Sequence, residues 1–470
     1  MRFYFPCSTI VELHLQLKLK KRVILMEKDL TTGSVFKTIA SFSLPFLLSY
    51  FLQTLYGMAD LFIIGQFNGV ESTTAVSIGS QVMHMITVMI VGLAMGTTVM
   101  IGQAIGAKAQ EKVSAAISNT IILFLLLSIV ATAVLLLLVH PIVAVMSTPA
   151  EAVSGTVSYL TICFIGIPFI TAYNVISSIF RGLGDSKSPM YFIAIACVVN
   201  IALDFFFIGG LHMGAAGAAL GTTLSQTCSV IISLIVILRK KNGVVFSLKN
   251  LRPDRKVMGS LLKIGSPVAF QDGFIQIAFL VITVIANKRG LNDAAAVGIV
   301  EKIISILFLV NSTMLSTVSA LCAQNIGAGK HRRAKQTLKY SILITTVFGL
   351  LSIIVMQLAP EPFIGLFTAD SEVIRMGAQY MHGYVFDCIL AGIHFCFSGY
   401  FCAYGKSWIS FVHNAIAITC ARIPLAYLAS VYFPDTLFPM GLATCTGSFV
   451  SVIICILFFV WMEKKTGIKQ

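Results

Sequence analysis

Charge is what this sequence has least of. Asp, Glu, Lys and Arg make up 11% of its 470 residues, against 57% hydrophobic. A water-soluble domain of this length needs a far larger charged surface, so the composition is that of a chain whose solvent is mostly lipid. The signatures of an enzyme are also missing. There is no His-Glu metal motif, no activated Ser or Cys constellation and no nucleotide-cradling loop. The glycines of "GAAGAALG" follow no strand and read as helix packing. Of the 11 cysteines, Cys7 lies in the N-terminal segment and the rest in or beside apolar segments. None pair up in loops, which excludes a disulfide framework and a metal cluster and leaves small apolar filler as their role. The first 25 residues hold no apolar core long enough for a signal peptide and no small-residue cleavage site.

Apolar runs of about 18 residues or more recur along the whole chain, each long enough to cross a hydrocarbon core of roughly 30 Å. In lipid every backbone polar group must be paired within the segment, so these runs are helices. Twelve spans are predicted, at 36–66, 74–103, 115–139, 156–180, 189–209, 214–238, 260–286, 294–322, 337–358, 378–402, 409–431 and 438–461. The expected fold class is an all-α membrane protein. Of the 33 Lys and Arg, 28 fall in or beside the segments on one side. Three (Lys288, Arg289, Arg375) fall on the other, and Lys302 and Arg422 lie within spans. This asymmetry places both termini in the cytoplasm. The net charge of +14 is therefore a topology signal, with anionic lipid as a secondary partner and no nucleic acid implied. Residues 1–35 form a cytoplasmic lead-in and 462–470 a cytoplasmic tail. Within the lead-in, 1–25 reads either as an extension upstream of a true start at Met26 or as a short basic interfacial helix.

The chain repeats itself. Gln103, Ile105 and Gly106 fall on Gln324, Ile326 and Gly327 at an offset of 221, as do Tyr159 on Tyr380, Phe180 on Phe401, Gly184 on Gly405 and Ser186 on Ser407. Pro45 falls on Pro267 at 222. Two pseudo-symmetric six-helix halves follow, 36–240 and 260–461, joined by a basic linker at 241–259. Six spans is an even number, so both halves enter the membrane from the same side. They enclose a cleft that rocking motions expose to alternate sides. Gly92-xxx-Gly96, Gly102-xxx-Gly106 and Gly217-xxx-Gly221 are spacings that let helices pack closely.

The repeat breaks at the acids. Asp204 has Leu425 as its twin, Asn200 has Ala421 and Asp60 has Ile282. Asn200 and Asp204 are four residues apart and share a helix face. Asp60 in span 1, Asp204 in span 5 and Thr222 and Thr223 in span 6 fall at similar depth in the outer half of the bilayer. Three helices of one half can therefore converge a carboxylate pair, an amide and a hydroxyl. Burial and a neighbouring carboxylate both disfavour ionisation, so such a pair can hold a proton near neutral pH, or take Na⁺ through its hard oxygens. Intramembrane acids cost at least ~2.5–3.5 kcal/mol each, which makes them functional candidates by default. The blander readings are that Asp204 only hydrogen-bonds Asn200 and pins span 5, and that Asp60 is a solvated helix end. In the second half Asp272, Glu301, Lys302, Asp387 and Arg422 also fall within spans. Arg422 and Glu301 either pair internally or serve function, Asp387 is expected to face the cavity, and His394 and His413 are expected to be satisfied core residues.

"SLPFLLSYFLQTLYGMADLFIIGQF", "QAIGAK", "FRGLGDSKSPMYF", "NIALDFFFIGG" and "MGAAGAALGTTLSQ" resemble the multidrug and toxic compound extrusion (MATE) family, in order and over about 27–461, nearest to its DinF-like branch. The resemblance implies twelve helices in two bundles and a multi-pass monomer of the plasma membrane. It implies a secondary antiporter that exports small, often cationic, organic compounds against H⁺ or Na⁺, with no cofactor beyond that coupling ion. In that branch the aspartate of span 1 and the Asn-xxx-Asp of span 5 land on Asp60, Asn200 and Asp204, with the span 6 threonine at Thr222. These are the candidate cation site, for a proton or Na⁺. Gln53, Tyr56, Gln271 and Asp387 are weaker candidates for the substrate cavity. The NorM-like branch carries a glutamate in span 7 and an aspartate in span 10. Here span 7 has Gln271-Asp272 with no glutamate. The rival reading is a flippase for a lipid-linked oligosaccharide or similar amphiphile of the same superfamily, whose members carry extra spans or a more cationic cavity.

Overall fold

A computed structural model of the chain describes residues 29–239 and 252–466. The expected extension at 1–25, Cys7, linker residues 241–251 and the last four tail residues lie outside the described residues. The first half holds α1 (Val35–Phe67), α2 (Val70–Gly106), α3 (Gln110–Val145), α4 (Ala150–Gly182), α5 (Lys187–Asp204) and α6 (Gly214–Arg239). The second holds α7 (Arg255–Asn287), α8 (Leu291–Gly327), α9 (His331–Leu358), the short α10 (Glu361–Gly365), α11 (Ser371–Tyr384), α12 (Asp387–Ala403), α13 (Trp408–Ala417), α14 (Ile423–Tyr432) and α15 (Phe438–Thr466). Among the described residues there is no strand, and the ten described cysteines are all unpaired.

Among the described residues, ten helical spans are long and apolar enough to cross a membrane, with α13 and α14 counted as one. The eleventh, expected at 378–402, is a bent helix pair when counted as one span. It is broken into α11 and α12, which meet at 43°. The twelfth lies in α8, which has 37 residues and whose C-terminal half packs inside the protein. From Asn311 to Asn325 every residue but Ser312 is buried. Large apolar side chains such as Leu44, Phe62, Leu137, Leu351 and Leu457 are exposed on the outside of the bundle, as a lipid-facing surface requires.

The sequence repeat is also a repeat of bonds. Thr98 Oγ1 donates to the Ser178 carbonyl at 3.0 Å, and its twin Ser319 Oγ donates to the Gly399 carbonyl at 3.2 Å. The ends of α4 and α12 close alike. Asp185 N donates to Phe180 O and Lys406 N to Phe401 O, both at 2.9 Å, with Gly184 and Gly405 at φ +89° and +68°. One twin pair is mismatched. After α8 the left-handed residue is Gly329 (φ +71°), but after α2 it is Lys108 (φ +54°). A side chain there costs about 1–2 kcal/mol. Lys108→Gly is therefore expected to raise thermal stability in detergent by about 1 kcal/mol, read as an upward Tm shift. An unchanged or lower Tm contradicts it.

At the opposite end of the bundle Arg289 clasps the second half. It pairs with Asp293 at 2.6 Å and donates to the carbonyls of Ser430, Phe433, Pro434 and Thr436. The two halves meet chiefly where α2 packs on α7 and α8, and α1 on α8. Glycine allows this. A Cβ at Gly96 would overlap the Leu261 carbonyl and one at Gly265 the Leu93 carbonyl. Farther toward the Arg289 end the fit loosens. A Cβ at Gly92 would lie 2.9 Å from the Ala269 backbone, and one at Gly273 would make only ordinary contact with Met89 at 3.5 Å. The halves are thus sealed at the end that carries residues 106 and 327 and diverge toward the other.

Candidate ion-binding site

The three residues singled out by broken symmetry come together with Thr222. Asp60 on α1, Asn200 and Asp204 on α5 and Thr222 on α6 converge inside the first half. Asp60 is 4% exposed, and Asn200 and Asp204 are fully buried. Thr222 Oγ1 donates to Asp60 Oδ2 at 3.0 Å. Asp60 lies within interaction range of both Asp204 and Asn200. Yet Asp60 Oδ1, both Asp204 carboxylate oxygens, both Asn200 amide atoms and Thr223 Oγ1 make no well-formed hydrogen bond among the described residues. Buried polar atoms are nearly always satisfied, so a cluster this under-bonded is a place where something is meant to bind. Every free acceptor in it is a hard oxygen, which suits a proton or a small alkali cation.

Local structure explains the convergence. Asp204 ends α5, and the chain passes at once into a π-helical turn, Phe205–Gly210. Such wide turns recur at functional sites because they redirect side chains from the α-helical register. Gly221 then makes the space. A Cβ there would overlap Asp204 Oδ1 and lie 3.6 Å from Asn200 Nδ2. Gly166 does the same for the hydroxyl-bearing side chain of Thr223, which a Cβ would meet at 2.6 Å. In the sequence Gly221 reads as a packing residue and Gly166 carries no mark. The signal available was a glycine directly before Thr222, but clearance is visible only in three dimensions.

The weaker cavity candidates fare differently. Tyr56 sits one turn before Asp60, and its hydroxyl accepts from Gln226 Nε2 at 3.3 Å. It therefore belongs to the wall of the first-half site. Gln53, its neighbour on α1, is half-buried. Gln271 is completely buried, with neither amide atom partnered among the described residues. Asp387, expected to face the cavity, is likewise fully buried. Helix periodicity cannot distinguish a cleft from the interior of one half, and here the interior won.

Asp387 lies near Arg422, whose guanidinium donates to the Tyr384 hydroxyl and stands 5.1 Å from the centre of the Phe279 ring. Arg422 closes a second π-helical turn, Ile418–Arg422. Glu301 accepts from Thr283 Oγ1 at 3.2 Å. Of the histidines, His413 is buried and bonded to Ser398 at 3.0 Å and Ser451 at 3.1 Å. His394 is buried edge-on against it with ring centres 5.5 Å apart, its Nδ1 without a partner among the described residues. The second half thus carries Arg422 beside its acids, whereas among the described residues the buried cation of the first half, Arg181, sits with Tyr50 and Tyr173 and not with the Asp60–Asp204 pair.

A two-repeat helical bundle in lipid, with an acidic and under-bonded site inside one repeat, defines a membrane carrier. The MatE family profile matches residues 45–206 and 267–428. The two stretches are 222 residues apart, one in each half, and the chain belongs to this family. Among curated relatives, the "Probable multidrug resistance protein YpnP" of Bacillus subtilis is 29% identical over 86% of this chain and 90% of its own length. The "Probable multidrug resistance protein YoeA" of the same species is 25% identical over 92% and 95%. The "Multidrug export protein MepA" of Staphylococcus haemolyticus is 25% identical over 85% and 88%. A solved structure titled as the outward-facing conformation of a multidrug resistance MATE family transporter superposes with TM-score 0.87 at 23% identity, over 94% of this chain and 98% of that one. The fold is therefore the twelve-helix fold of MATE transporters, in a multi-pass protein of the cell membrane.

Proposed function

We propose that the protein is a secondary antiporter that exports small organic compounds, cationic ones among them, in exchange for H⁺ or Na⁺ bound at Asp60, Asn200, Asp204 and Thr222. One observation carries this reading: the buried, under-bonded acid cluster in the first half. The names of the relatives support the cargo class, and the positive-inside asymmetry supports a cytoplasmic location for the sealed end and both termini. In the conformation described, the cleft then opens outward. An ion arriving from outside neutralises the Asp60–Asp204 pair and favours a first half with lower affinity for the cargo, which is released. Loss of the ion to the cytoplasm reverses the preference. The ion can shift this equilibrium only by its differential affinity for the two states.

The test is uptake of a fluorescent organic cation into proteoliposomes, driven in one experiment by a pH gradient and in another by a sodium gradient. The expected result is accumulation driven by one of the two and abolished by collapsing that gradient. Accumulation with neither gradient, or none under either, contradicts the proposal.

A further inference from the structure

The two glutamines that mark the sequence repeat reach across the seal in opposite directions. Gln103 Nε2, from the first half, donates to the Ala403 carbonyl at 2.8 Å. Gln324 Nε2, from the second, donates to the Gly182 carbonyl at 3.1 Å. Both donors and both acceptors are twins at offset 221, so the two bonds are related by the pseudo-symmetry of the molecule. Gly182 and Ala403 are the last residues of α4 and α12, where helix carbonyls have no partner within the helix. Each half thus satisfies the open helix end of the other.

Glycine again sets the distance. A Cβ at Gly106 would overlap the Gln324 carbonyl and one at Gly327 the Gln103 carbonyl, while Gly102 and its twin Ala323 face each other at the crossing. A strap adds asymmetry. Leu30, 1% exposed, donates its N–H to Gln324 Oε1 at 3.2 Å. Arg333 holds the next turn of chain through the carbonyls of Thr32 at 2.7 Å and Gly33 at 2.6 Å.

We propose that Gln103 and Gln324 form a reciprocal latch that holds the two halves shut at this end and releases when the carrier opens there. The chemistry suits a reversible device. When the halves part, water can take over both the amides and the helix-end carbonyls, so each bond adds only a modest bias toward the closed state. Substitutions in the latch should therefore move populations without unfolding either half. The inference rests on the alternating-access reading, but its test needs no transport.

A Cβ at residue 102 would lie 3.0 Å from the Ala323 Cβ, close enough for a disulfide after a small shift. In Gly102→Cys/Ala323→Cys protein, oxidative cross-linking mapped by peptide mass spectrometry reports the closed seal. Adding Gln103→Leu and Gln324→Leu is expected to slow cross-linking about tenfold, and either alone about threefold. If the leucine pair does not yield folded protein, Gln103→Asn with Gln324→Asn, whose amides are one methylene short of the carbonyls, is expected to give the same slowing. A rate equal to or faster than the parent's, in folded protein of unchanged Tm, overturns the latch.

Discussion

Asp204→Asn is expected to lower ion-driven export of a fluorescent organic cation at least about tenfold while leaving expression and thermal stability close to the parent's. The substitution separates the two readings of this residue. The amide keeps the size and hydrogen-bonding capacity of the side chain, so a residue that merely pins α5 through Asn200 would tolerate it. A site that works by changing charge would not, because the amide is fixed in the neutral, ion-loaded form. Asp204 is fully buried, and neither of its oxygens makes a well-formed hydrogen bond among the described residues, so the amide removes charge and little scaffold. Asp60→Asn is expected to act in the same direction. Its amide oxygen can still accept from Thr222, which again removes charge and keeps scaffold. Full transport by well-folded Asp204→Asn protein would refute the coupling assignment.

Gly221→Ala should have a comparable effect for a different reason. One added methyl would occupy the space of Asp204 Oδ1. The helix cannot simply retreat, because Ala218 and Ala219 on the preceding turn are fully buried against the first-half core. Overpacking of this kind typically costs about 1–3 kcal/mol, and the carboxylate, being the movable partner, takes the displacement. Transport is expected to fall about tenfold or more with the protein still folded, since a shift of about 1 Å at a binding centre can cost that much. Gly57, one turn before Asp60, is the control. A Cβ there meets nothing within 4 Å, so Gly57→Ala is expected to transport normally and, as a better helix former, to be no less stable. Equal transport by both variants would show that clearance at Gly221 is irrelevant.

Much of this site is legible in the sequence because lipid makes polarity conspicuous. An acid inside an apolar run stands out, and the internal repeat supplies a reference against which Asp60, Asn200 and Asp204 are anomalous. Depth along three helices is enough to bring them together with Thr222. What sequence cannot give is rotation about a helix and clearance between helices. Asp387 has the same periodic context as a cavity residue, yet it is buried within the second half near Arg422. The break between α11 and α12 falls at Val385 and Phe386, with no proline there and only Gly383, inside the last turn of α11, to hint at it. Gln103 and Gln324 register in the sequence as markers of the repeat. That each reaches a helix end of the other half depends on how the halves dock, which no single repeat encodes.

In the proposed exchange cycle the coupling ion binds at the Asp60–Asp204 pair and, by binding there, weakens the hold on the cargo. The most direct measurement is equilibrium binding of a fluorescent organic cation to purified protein, titrated with protons and with Na⁺, in the parent and in Asp60→Asn/Asp204→Asn. One of the two ions is expected to weaken dye binding to the parent, and the double variant is expected to bind dye with no dependence on either. Ion dependence that survives intact in the folded double variant would contradict it.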